Sequence, residues 1–359
     1  MKARFAGIFL ILAALILAGC SSPVSRNGNY RFQEVYFLTT REDTEDAQPE
    51  KRFGKERGEA QLGVVMMAID EDKTFTSFAR PGPNHTLKQT EPMGSNPVQQ
   101  IALLEEAAFV DSLGRYFPRE DGQQEVLIYI HGFKKSFSRV HQIAAQLRYE
   151  LAFPGPVIAF AWPSANAMSG YLSDLENLRW SMPAFRDLTR LLTREFPGAR
   201  IHVIAHSMGN KALVDMLLNP ELDIANASTW PLGELVFIAP DIDRDLFQRD
   251  IAVKLQAIPS SRTLYVSGKD FPLVASATIY QYPRLGDSRN GPPIIGGFET
   301  IDVSDAIPLF DGHGYYETNR ETLEDLYHLI REGLPAAERP TLREVESTSG
   351  TYWRLLPEE

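Results

Sequence analysis

The stretch that decides the fold is Val203-Ile204-Ala205-His206-Ser207-Met208-Gly209-Asn210, an apolar run that ends in a turn holding one serine. In a nucleophile elbow a strand stops, the serine takes the apex in a strained conformation, and a helix leaves at once. Small residues two before and two after the serine let that turn close. Gly209 supplies one of them and Ala205 the other, where glycine is usual. The flanks agree. Ile201 to Ile204 reads as a buried strand, and Ala212, Leu213, Met216 and Leu217 recur at helical spacing. A hydroxyl at a helix N-terminus can act as a nucleophile, because the free amides there can hold a developing oxyanion. The plainer possibility is a serine that merely caps a buried helix.

Outward from the elbow the chain alternates short apolar runs with amphipathic segments. Val126 to Ile130, Val157 to Ala161, Ile201 to Ala205, Leu235 to Ile238, Thr263 to Val266 and Phe298 to Val303 read as strands. Helices are expected through Val140, Ala144, Leu147 and Leu151, and through Phe185, Leu188, Leu192 and Phe196. Thr318 to Glu321 matches a capping box that opens a last helix with Leu323, Leu326, Tyr327 and Ile330 inward. Glu34 to Leu38 and Leu62 to Ile69 would be leading strands. This alternation predicts an α/β fold, a mostly parallel central sheet with helices on both faces. The expected division is a leader over 1–19, a tether over 20–32, the folded domain over 33–334 and a tail over 335–359. Segments 41–60 and 80–100 read as surface loops, and 166–180 and 282–297 as segments that overhang a pocket.

Ligands in such sheets collect at the C-terminal strand ends. Reading down those ends gives His131-Gly132-Phe133, Trp162-Pro163-Ser164, His206-Ser207, Asp241-Ile242-Asp243 and Lys269-Asp270, with His313 in a loop beyond the last strand. A serine hydroxyl needs a base to take its proton, and a histidine base needs a carboxylate to fix its tautomer. His206 points away from its neighbour's hydroxyl, and His131 lies upstream of the serine. His85, His141, His202 and His328 fall in a loop, a helix, a strand and the polar side of the last helix. Ser207, Asp270 and His313 are therefore the expected nucleophile, acid and base. Asp241 and Asp243, one strand earlier, are alternative acids. The amides of Met208 and Phe133 are the expected oxyanion donors, with Gly132 allowing the close turn.

The motifs Tyr129 to Phe133, Phe160 to Ser164, Ile204 to Asn210, Ile238 to Phe247, Tyr265 to Asp270 and Gly312 to Tyr316 together resemble an uncharacterised bacterial α/β-hydrolase family of esterase/lipase-like proteins of unknown function. The resemblance runs from about Glu34 to Leu334 and implies the α/β-hydrolase fold. It brings no substrate with it. A serine hydrolase acting on a carboxylic ester or thioester is the leading expectation. Acyl transfer to an acceptor other than water would use the same residues. A non-catalytic scaffold that only binds is the alternative, and it has no need of the full Ser/Asp/His set.

The N-terminus carries Lys2 and Arg4, then an apolar run from Ala6 to Ala18 too short to span a bilayer comfortably. Leu17-Ala18-Gly19-Cys20 resembles the lipobox of bacterial lipoproteins, and Cys20 is the one cysteine of the chain. That resemblance implies cleavage before Cys20, lipidation there, and, with Ser21 following, anchoring to the periplasmic face of the outer membrane. Loss of residues 1–19 would move the formal charge from −11 to −13 by removing Lys2 and Arg4. So acidic a chain is a poor partner for nucleic acid. No cofactor or metal is expected. His202 and His206 lie on a strand about 13 Å apart, too far to share an ion, and no phosphate loop or dinucleotide fingerprint is present.

Overall fold

The computed structural model describes residues 30–71, 74, 98–117, 124–165, 167–222, 231–308 and 312–357. Cys20, the leader and His85 lie outside the described residues. Among the described residues eleven strands form one sheet: β1 (Tyr30–Asp43), β2 (Phe53–Asp70), β3 (Val98–Leu104), β4 (Glu125–Ile130), β5 (Val157–Ala161), β6 (Arg200–His206), β7 (Leu232–Ile238), β8 (Ser261–Val266), β9 (Glu299–Asp302), β10 (Leu342–Ser347) and β11 (Gly350–Leu355). Their order is β10-β11-β9-β8-β7-β6-β4-β5-β1-β2-β3.

Every neighbour pair from β1–β5 across to β9–β11 is parallel. The outer pairs β1–β2, β2–β3 and β10–β11 are antiparallel. The central strands are apolar on both faces because both are covered. Ile128 and Ile130 of β4 pack into one core, while Leu127 and Tyr129 pack into the other. The covering helices are α1 (Glu106–Gly114), α2 (Phe137–Glu150), α3 (Tyr171–Glu195), α4 (Gly209–Leu217), α5 (Phe271–Tyr280) and α6 (Arg320–Arg331).

Strand β4 has β5 on one side and β6 on the other, so the chain reverses its winding there. A crevice opens at such a switch point beyond the strand ends. The turns that leave β4 and β6, with His131 to Phe133 and Ser207, flank it.

Four expectations need correction. Segment 335–359 is not a tail apart from the domain: β11 pairs with β9 and extends the sheet. Arg339, fully buried, fastens the segment to Asp325 of α6 at 2.8 Å. The tether ends earlier than expected, since Tyr30 to Phe32 already pair with Ala68 to Asp70. The supposed loops at 41–60 and 80–100 contain strand, because β1 and β2 run through much of the first and β3 begins within the second. The last helix is capped by Asn319, whose side chain accepts from the Thr322 amide at 2.8 Å, one residue beyond the expected Thr318.

Candidate active site

Ser207 follows β6 with a φ of 52°, in the left-handed region that costs a residue with a Cβ about 1–3 kcal/mol. The turn is clamped from several sides. The Ser207 amide donates to Ile238 O at 2.9 Å, and the Ser207 carbonyl accepts from the amides of Asn210 and Asp241 at 3.1 and 3.2 Å. The Asn210 side chain adds bonds to Ser207 O and Ile238 O, both at 3.1 Å. A Cβ on Gly209 would stand 2.5 Å from His131 O, so only glycine lets α4 start this close to β4. Strain held by so many bonds is characteristic of an apex that must present its side chain.

The expected acid and base meet. His313 Nδ1 lies 3.0 and 2.8 Å from the two carboxylate oxygens of Asp270. Asp270 is buried and also caps α5, accepting from the Leu273 amide at 2.9 Å. Burial pushes its carboxyl above the usual range, against the pull of the imidazole. The His313 ring keeps some exposure, with 23 % of the side chain open. Its loop is held by Tyr315, whose hydroxyl donates to Tyr265 O at 3.1 Å, and by the 2.7 Å contact between the Tyr316 and Tyr129 hydroxyls. His206 lies between this loop and the elbow, its ring 4.6 Å from those of both His313 and Tyr316.

The two expected oxyanion donors are free. Among the described residues neither the Met208 nor the Phe133 amide donates to a protein acceptor. Met208 is fully buried. A buried amide without a protein partner has bonding capacity to spare. Gly132 sits against the elbow: a Cβ there would come within 2.8 Å of Ser207 Cβ and 2.9 Å of His206 Nδ1.

The alternative acids do not approach His313. Asp241 is buried in a different cluster, accepting from Arg284 Nε at 2.8 Å, from Ser276 Oγ at 2.6 Å and from the Tyr171 hydroxyl. Asp243 caps the helical turn after β7, accepting from the Leu246 amide at 2.9 Å. The other described histidines are occupied structurally. Buried His131 stacks on Trp162 with ring centroids 4.4 Å apart, and burial keeps it neutral. Buried His141 faces Phe137 O at 2.8 Å, its pKa pushed down to about 3 by burial. His202 accepts from the Glu234 amide at 3.1 Å, and His328 faces Glu332 at 2.7 Å.

Residues that single motifs could not announce support the site from a distance. Buried Asp174 of α3 accepts from Ser164 Oγ at 2.5 Å and from the Ala165 amide at 2.7 Å, fixing the turn after β5. Buried Arg41 of β1 donates to Lys135 O at 2.8 Å and Gly54 O at 3.0 Å, fixing the turn after β4. Tyr171, in the segment expected to overhang the pocket, is helical and sets its ring edge-on to Phe133 at 5.4 Å. The one sequence signal for these residues was the polar run Trp162-Pro163-Ser164 at a strand end.

Residues 106–294 match a family described as an alpha/beta hydrolase of unknown function (DUF900). The match takes in Phe133, Ser207, Met208, Asp241 and Asp270, and stops short of His313. An uncharacterized protein of Nostoc sp. strain PCC 7120 is 29 % identical over 106 residues, which are 24 % of this chain and 28 % of that protein. The chain thus spans little more than a quarter of that relative. Among solved structures, a putative hydrolase from Agrobacterium vitis S4 is similar over 86 % of this chain and 100 % of its own, at 9 % identity and a TM-score of 0.35. Esterase B from Lactobacillus rhamnosis is similar over 60 % of this chain and 76 % of its own, at 12 % identity and a TM-score of 0.33.

Proposed function

We propose that this chain, which belongs to the alpha/beta hydrolase family of unknown function (DUF900), is a serine hydrolase that cleaves a carboxylic ester or thioester through an acyl-Ser207 intermediate. The observation that carries the reading is the Asp270 carboxylate 2.8 Å from His313 Nδ1, in a loop packed against the elbow of Ser207. With Nδ1 engaged, Nε2 is the nitrogen left for the serine proton.

In this reading Ser207 Oγ attacks the carbonyl carbon as its proton passes to His313 Nε2. The carbonyl π electrons move to the oxygen, which the Met208 and Phe133 amides receive. Collapse expels the alcohol or thiol, protonated by His313, and leaves the acyl group on Ser207. Water, deprotonated by the same imidazole, then releases the acid and restores the serine. Asp270 orients the ring and stabilises the imidazolium without accepting its proton.

For residues outside the described part, the lipobox motif supports lipidation at Cys20 and an envelope location, with the domain tethered at a membrane. A single acyl chain binds membranes only marginally, so stable anchoring requires further chains on the same residue.

The test is labelling with a fluorophosphonate, which requires an activated serine, together with a panel of simple esters. Wild-type protein should be labelled and Ser207→Ala should not. Turnover should fall roughly 10⁴-fold or more at an unchanged or slightly raised melting temperature. A folded wild-type protein that neither labels nor turns over any ester would instead support a binding scaffold.

A further inference from the structure

We infer that the pocket behind Tyr171 is the recognition subsite of this enzyme, and that it selects esters whose apolar chain ends in a carboxylate. The inference rests on the serine-hydrolase reading and names its substrate class.

The pocket, about 480 Å³, lies between α3, α4 and the chain over 242–284. Leu175, Leu178 and Met182 of α3, with Ile242 and Leu246, give it an apolar wall. Its lining residues Lys211 and Arg284 both bond to Asp241, which in turn contacts the elbow and Tyr171. The Asp241 amide donates to Ser207 O at 3.2 Å, and the Asp241 carboxylate accepts from the Tyr171 hydroxyl. The Tyr171 ring stands edge-on to Phe133 at 5.4 Å on one side and to Tyr280, a wall residue, at 5.9 Å on the other. Tyr171 therefore lies between Phe133 and a wall residue of the pocket.

Two charges in the lining have no ion-pair partner among the described residues: Asp243, whose carboxylate accepts from the Leu246 amide, and Lys211. Arg284 is held by Asp241 at 2.8 Å, Arg179 by Glu176 at 2.6 Å and Asp215 by Arg186 at 2.6 Å. Among the described residues Lys211, four positions after the nucleophile, is the one cation of the lining with no carboxylate partner. Its ammonium donates to the main-chain oxygen of Asp241, and it lies 5.8 Å from the Tyr280 ring centroid. An ammonium has three donors, so two remain at the pocket wall. Desolvation pushes Lys211 down to about 8, against the pull of Asp241. An incoming anion would offset that cost and complete its bonds. Asp243 lines the same pocket and opposes added negative charge, so a carboxylate suits the site better than a phosphate dianion.

The probes are p-nitrophenyl monoesters of dicarboxylic acids of four to ten carbons, each paired with the neutral ester of the same length. The readout is the ratio of kcat/KM within each pair, which cancels pH effects common to both esters. At pH 7 the carboxylate should be preferred by roughly tenfold at the best length, the usual scale of one charge-assisted bond. Lys211→Met should lose that preference, and Lys211→Arg should keep part of it, with melting curves showing both folded. Raising the pH through 8 to 10 should erase the wild-type preference as the ammonium loses its proton, within the field of Asp241, Asp243, Arg179, Arg284 and Tyr280. Labelled, active protein with no carboxylate preference at any length, or a preference that survives in Lys211→Met, overturns the subsite alone. Absence of both labelling and turnover overturns the serine reading and the subsite with it.

Discussion

His206 holds His313 by its main chain: the imidazole Nε2 of the first lies 3.0 Å from the carbonyl oxygen of the second. Burial keeps His206 neutral, with the proximity of His313 acting in the same direction. The ring therefore carries one proton, and the carbonyl fixes it on Nε2, which donates. The residue beside Ser207 thus points away from it and still serves the site, by fixing the loop that carries His313. His206→Phe should lower kcat by roughly a hundredfold, the scale on which about 1 Å of misplacement acts, with little change in KM. His206→Gln, which keeps a donor, should recover much of that loss. Rates on a small activated ester, measured well below each melting temperature, check this. A fully active His206→Phe would show that the contact positions nothing.

Asp270 and His313 should behave as one unit. Asp270→Asn is expected to lower turnover by roughly 10³–10⁴-fold, because the imidazole loses its tautomer and its counter-charge. In a His313→Ala background the same change should add little. Asp241→Ala should act on stability instead. It leaves the buried Arg284 guanidinium without the carboxylate now 2.8 Å away, a loss on the scale of about 3–5 kcal/mol. Turnover and melting temperature for the single variants and the double one separate these outcomes. Mild loss in Asp270→Asn beside severe catalytic loss from a folded Asp241 variant would reassign the acid.

The site was more legible in the sequence than the edges of the sheet, for a physical reason. Asp270 and His313 lie in chain order in the loops after β8 and β9, and Ser207 directly follows the short, largely apolar β6, which announces itself locally. β3 does not: Val98 to Leu104 carries two glutamines, is only partly buried and lies at the sheet edge. The first half of α3 hid behind Pro183, which reads as a helix stop, although the helix continues on both sides of it. Its register is fixed by contacts that sequence spacing cannot supply, such as Asp174 with Ser164. Asn319 displaced Thr318 as the cap because both were available one residue apart. The support Arg41 reaches Lys135 across 94 residues, Asp174 reaches back only ten to Ser164, and neither carries a motif.

The hairpin β10–β11 was illegible for the same reason, since its partner β9 lies some fifty residues away, and it yields a direct prediction. Arg339 is buried between Asp325 and Glu299, both at 2.8 Å, and lies 3.3 Å from the Tyr265 hydroxyl. Asp325 also accepts from Tyr265 at 2.5 Å and Thr341 at 2.6 Å. Arg339→Met leaves Asp325 as a buried carboxylate without its cation, which should cost about 3–5 kcal/mol. A chain ending at Leu334 should lose at least as much. Denaturant unfolding measures both. Wild-type stability in the shortened chain would mean that the hairpin only decorates the sheet.

Glu317 ties the loop of His313 to the turn after β4, and its protonation should set the acid limit of the fold. The carboxylate is buried, with Lys135 Nζ 2.6 Å from one oxygen and an Arg139 nitrogen 2.6 Å from the other. Burial alone would raise its pKa. The Lys135 ammonium and the Arg139 guanidinium together outweigh that, and the net shift is downward. A carboxyl whose folded pKa is depressed adds stability that is fully present above its unfolded value of about 4.3 and is lost as the pH falls through the folded value. Glu317→Gln should therefore be less stable than wild type at pH 7, by about 3 kcal/mol if it behaves like other broken buried pairs. The gap should hold constant down to about pH 5.5, narrow below about 4.3 as wild type gives up the same interaction, and close at lower pH. Denaturant midpoints for both proteins at pH 7, 5.5, 4 and 3 trace the curve. A gap that stays constant to pH 3, or widens there, would mean that the carboxylate and its two cations do not form the coupled cluster that the geometry describes.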